Sequence, residues 1–142
     1  MAESTNKIDT AIDAIETDLG ALVTAGTVKA VEQALHNPLT ERRVPVIGLY
    51  PLRAGRAGGS AAPLWEVSLA VRILARAKGI QASETITELV ATVQARLDAL
   101  SDSASIAASI ELGTWQFVYH SAVTNSPVGA MAILTLRFEG SL

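Results

Sequence analysis

The residues able to do chemistry are few in this chain, and their spacing serves chemistry poorly. There are two histidines, His36 and His120. His120 ends an alternating segment beside Ser121, and neighbours in a strand point to opposite faces, so the two cannot form a nucleophile–base pair there. His36 precedes Asn37 and Pro38 in a turn, and no carboxylate lies at a spacing that would complete a metal site with it. Asp9, Asp13 and Glu16 share one helical face near a helix start. Acidic side chains are favoured there by the helix dipole, and a solvated face explains them better than paired catalytic carboxylates. The Gly-rich run Arg53, Ala54, Gly55, Arg56, Ala57, Gly58, Gly59, Ser60 could be imagined around a phosphate. It leads into a strand rather than opening a helix, and it lacks the Gly-Lys-Ser/Thr ending of a phosphate loop. The chain reads as a non-enzyme with no cofactor and no metal.

The elements that would position these residues are clearer. Ile8, Ile12, Ile15, Leu19 and Leu22 recur at four- and three-residue steps, predicting an amphipathic helix that ends before Gly26. A short strand is expected within 27–35, although that segment would also suit helix. The β-branched run over 43–50 predicts a strand, with Pro45 at its start or on an edge. A loop is expected from Pro51 to Pro63, mobile over 52–63. The longest strand follows over 64–74, with Trp65, Val67, Leu69, Val71 and Ile73 on one face. Ile86, Leu89, Val90, Val93, Leu97 and Leu100 predict a second helix, with a capping box at Thr85 and Glu88 or a cap at Ser83. The chain closes with a hairpin. Trp115, Phe117 and Tyr119 form one face of its first strand, Ala132, Leu134, Leu136 and Phe138 one face of the second, and Thr124 to Pro127 the turn.

These elements predict an α+β fold with a mostly antiparallel sheet of about four to five strands and two helices packed on one face. The 142 residues fit one domain over 1–142, with a flexible N-terminus at 1–5. Hydrophobic residues reach 49% while charged residues stop at 18%, below the globular average of about 25%. So little charge suits a surface hidden against other subunits, although abundant alanine accounts for part of it. The net charge of −3 argues against general nucleic-acid affinity. The absence of cysteine removes disulfides and thiolate sites. The acidic, polar N-terminus does not look like a signal peptide, and no stretch approaches the roughly 18 apolar residues of a membrane span. The chain is expected to be soluble and unexported.

Charge is segregated. Residues 42–78 hold Arg42, Arg43, Arg53, Arg56, Arg72, Arg76 and Lys78 against Glu66 alone, while both flanking segments are acidic. Two readings stay open: chance clustering on solvated strand ends, or a basic surface that meets the acidic helices of the next subunit. Trp65 and Trp115 read as core or interface anchors.

The order of elements and their wording resemble a known family. The run Val-Pro-Val-Ile-Gly-Leu-Tyr-Pro over 44–51, the long strand from Trp65, the regular second helix, the run Leu-Gly-Thr-Trp-Gln-Phe-Val-Tyr over 112–119 and a closing strand through Arg137, Phe138 and Glu139 carry the likeness. Together they resemble the tail terminator and tail-completion proteins of long-tailed bacteriophages and phage-like particles. The resemblance implies a homohexameric ring that caps the tail tube, ends its polymerisation and offers a surface for joining the head or neck. It implies as partners further copies of the chain, the tail tube protein and a head-completion or neck protein. No membrane and no sequence-specific nucleic-acid binding are implied, though DNA would pass through the ring. The location implied is the head-proximal end of the virion tail, after assembly in the host cytoplasm. The same frame also fits a head–tail connector, and a small-molecule-binding α+β domain with a sheet–helix cleft is the alternative from another class. Arg53, Arg56, Arg42 and Arg43 are the candidates for an interface or lumen surface.

Overall fold

The computed structural model describes residues 6–33, 45–56, 64–77, 79–100, 107, 109–119 and 126–139. Among them the chain folds as α+β, with two helices and a six-stranded mixed sheet. Helix α1 spans Lys7–Thr24 and α2 spans Gly79–Leu100. The strands are β1 (Ala30–Glu32), β2 (Val46–Arg56), β3 (Leu64–Ala77), β4 (Ser109–Leu112), β5 (Gln116–Tyr119) and β6 (Ser126–Glu139).

Helix α1 is bounded by local chemistry at both ends. Asn6 caps it, its side-chain oxygen accepting from the Asp9 N–H at 2.7 Å. At the other end the Gly26 N–H donates to the Val23 carbonyl and the Thr27 N–H to the Leu22 carbonyl, while Gly26 takes φ +81°. That pair of bonds with a left-handed residue is the Schellman closure, a conformation glycine enters without steric cost. Ala11, Ile12, Ile15, Leu19 and Leu22 are buried along one stripe, as the spacing of the isoleucines and leucines predicts.

Strands β3 and β6 form the spine, antiparallel over fourteen paired positions from Leu64 opposite Glu139 to Ala77 opposite Ser126. Strand β2 pairs antiparallel with β3, and β4 and β5 both pair antiparallel with β6. The sheet is mixed because β1 runs parallel to β2, with Ala30 opposite Val46. This short strand and the separate β4 bring the number to six, against the four or five expected.

Pairing sorts the side chains into two faces. Val67, Leu69, Val71, Ile73 and Ala75 of β3 lie opposite Leu136, Leu134, Ala132, Ala130 and Val128 of β6, and all are buried. Side chains of α1 and α2, among them Ile15, Leu19, Ile86, Val93 and Leu97, join most of this face in one core. The helices are also tied to each other, as the Arg96 guanidinium donates to both carboxylate oxygens of Asp18 at 3.0 and 3.3 Å and to its carbonyl at 3.2 Å. Asp18→Ala is expected to lower stability by about 0.5–1 kcal/mol, because a two-pronged but half-exposed pair contributes little more. A urea titration reads this directly.

Three expectations are corrected. The segment 52–56 is strand, not loop: β2 runs on to Arg56 because β3 supplies a ladder for it, and only 57–63 falls outside the described residues. Thr85, Glu88 and the position of Ser83 lie inside α2, which already begins at Gly79, rather than at its start. Ser126 and Pro127 belong to β6 rather than to the turn, paired with Ala77 and Arg76. The N-terminal 1–5 lies outside the described residues.

Candidate assembly surface

The second face of the sheet carries a different set of side chains. At one end Val46, Leu74 and Ala30 form a small apolar cluster. The next row holds Gly48, Arg72, Met131 and Gln116, and after it come Tyr50, Ala70 and Ile133. Ile133 is 42% exposed, although its neighbours in sequence, Ala132 and Leu134, are buried. The far rows are polar: Arg53, Ser68, Thr135 and Glu111, then Gly55, Glu66, Arg137 and Ser109.

Arg137 is the electrostatic centre of that polar end. Its guanidinium lies 3.1 Å from Glu66 and 3.1 Å from Glu111, and it also reaches the Ser109 hydroxyl at 3.4 Å. The hydrogen bond and charge of Glu111, followed by those of Glu66, push the pKa of Arg137 above its ordinary value. Three strands are thereby clipped across β3, β6 and β4. Periodicity alone could not reveal this triad, because its members come from strands far apart in the chain.

From Pro51 to Arg56, β2 becomes an exposed arm. Every residue there is exposed, and β3 pairs with it on one side, while β1 stops opposite Gly48. The register slips between Pro51 and Arg53, leaving Leu52 as an extra residue, 49% exposed. Bulges and prolines on an edge strand discourage another strand from adding to it. Arg53 lies opposite Ser68 on the second face, and Arg56 lies opposite Trp65 on the helix side. The Arg56 guanidinium sits 5.7 Å from the centre of the Trp65 ring, a cation–π arrangement. Arg53, Ala54, Gly55, Arg56, Glu66 and Ser68 line a shallow, open depression of about 240 Å³.

Trp65 and Trp115 both pack against the helix-side core as partly buried side chains. Arg42, Arg43, His36 and His120 lie outside the described residues. Of the acidic residues on α1 that share one face, Asp9 serves the helix start, while Asp13 and Glu16 both accept from the Gln33 amide. Among the described residues no three metal-ligating side chains gather, and no helix is long and apolar enough to cross a membrane. What the geometry brings together is a partly apolar sheet face, buried at Val46 and Ala70 and exposed at Ile133, beside a basic arm.

No family model matches the chain, and no curated protein matches its sequence.

Proposed function

We propose that this chain is a structural subunit of a phage-type tail, assembling into a ring that caps the tail tube and ends its growth. The ring then presents a joining surface to the head or neck. The observation that carries the reading is the pairing of a second sheet face on which neither described helix packs, with exposed Ile133 and half-buried Tyr50 at its centre, and an exposed arm whose edge is blunted against strand addition. A tail cap needs both properties: broad surfaces for its neighbours, and no edge on which polymerisation can continue. The resemblance in element order and the segregated charge add to it. The mechanism is steric, with no bond made or broken. A small-molecule role gains nothing from the helix–sheet interface, which Ile15, Leu19, Ile86 and Leu97 fill.

Light scattering over a wide concentration range, with negative-stain imaging of the chain mixed with purified tail tubes, tests this. A closed ring, alone or seated on tube ends, is expected, together with shorter tubes when the chain is added during polymerisation. A monomer indifferent to tubes overturns the proposal. Rings that bind isolated necks but not tubes assign the connector role instead.

A further inference from the structure

Resting on the ring reading, we propose that the β2 arm of one copy lies along the outer ridge of α2 in the next copy, setting Arg53 and Arg56 against Glu84 and Glu88.

Charge complementarity points to this pairing. The arm is basic in effect as well as in count, because Glu66, the acidic residue of the β2–β3 pair, is already held by Arg137 at 3.1 Å. Among the described residues neither Arg53 nor Arg56 has a carboxylate partner. Glu84, Glu88, Ala91 and Ala95 follow one another along the outside of α2 at four-, three- and four-residue steps, all exposed. Such steps form one ridge on the side of the helix away from the core. The basic residue of α2, Arg96, is turned aside to Asp18 of α1 and does not compensate that ridge. One copy therefore carries two surfaces of opposite sign on different elements, which is what a head-to-tail contact requires.

The form of the contact follows from the arm's own backbone. Pro51 and the extra residue Leu52 disrupt the free edge of β2, so side chains rather than a shared ladder must carry the contact. Arg53 and Arg56 leave opposite faces of the strand and flank this edge. Laid edge-on, they straddle a helical ridge, with Leu52 toward the small side chains of Ala91 and Ala95. Arg56 is already oriented by Trp65, so less side-chain freedom is lost on docking.

A charge swap tests the contact. One variant carries Arg53→Glu with Arg56→Glu, and another carries Glu84→Arg with Glu88→Arg. All four positions are exposed, so circular dichroism should match the wild type, and the thermal midpoint should fall by no more than a few degrees where the Arg56–Trp65 contact is lost. Each variant alone is expected to need at least about tenfold more protein to assemble. Mixed in equal amounts, the two should assemble again as an alternating ring, since each arm then meets a helix of opposite charge. Wild-type rings accompanied by variants that assemble as readily would overturn this contact and leave the ring reading standing, as would impaired variants that the mixture fails to rescue. A wild-type chain that stays monomeric even on tubes overturns both.

Discussion

Leu134→Ala is expected to cost about 3–4 kcal/mol, within the range for emptying a buried leucine site. Leu134 sits near the middle of β6, directly opposite Leu69 of β3, and both are essentially inaccessible on the helix-side face. The neighbouring strands are fixed by the fourteen-position β3–β6 ladder, so the site cannot collapse without breaking register. For a domain of this size the loss corresponds to a fall of about 10 °C in Tm. Ile133→Ala supplies the contrast. One residue earlier in the same strand, Ile133 faces the other way and is 42% exposed, so its truncation should cost well under about 1 kcal/mol. If the second face meets other subunits through Ile133, Ile133→Ala should weaken assembly while leaving the isolated fold intact. A chemical denaturation series on both variants separates the cases, and equal losses at the two positions would contradict the assignment of faces. Leu69→Ala combined with Leu134→Ala should fall short of additivity, because the two side chains bound one space.

The same alternation explains which parts of the molecule were legible beforehand. Trp65 to Ile73 announces a half-buried strand because each apolar residue is followed by a small or polar one, and β3 obeys it. Helix α1 was equally readable, since its isoleucine and leucine spacing is helical and Gly26 stands where the chain must turn left-handed. The arm was not readable. Pro51, Gly55 and the small residues around them have neither period nor hydrophobic content, and their strand conformation is imposed by the ladder that β3 offers. Nor was the parallel pairing of β1 with β2, because three residues carry too little pattern to specify a partner. The Arg137 cluster depends on register between strands distant in sequence, so Glu66 and Glu111 could not be connected to it from composition or spacing. Arg53 and Arg56, by contrast, could be picked out as candidates for an interface or lumen surface, although on an expected loop. The structure adds that they leave opposite faces of one strand.

Trp115→Ala is expected to cost about 3 kcal/mol, whereas Trp115→Phe should cost about 1 kcal/mol or less. The difference arises from a local irregularity. Leu112 lies opposite Leu134 and Gln116 opposite Met131, so four steps along one strand match three along β6 and one residue is extra. Gly113 anchors the irregularity by donating its N–H to the Ile133 carbonyl at 2.8 Å, and a Cβ there would come within 3.1 Å of the same oxygen. The bulge lets Trp115 pack against the core between the two short strands. Its indole Nε1 is buried with no hydrogen-bond partner among the described residues. An unpaired buried donor costs roughly 1–3 kcal/mol, and phenylalanine removes that cost while keeping most of the aromatic packing. Alanine removes the cost and the packing together, which is why its loss should be the larger. Urea midpoints followed by far-ultraviolet dichroism give both values. Equal destabilisation by the two substitutions would show that the indole N–H contributes a bond of its own and that the ring alone does not explain the site.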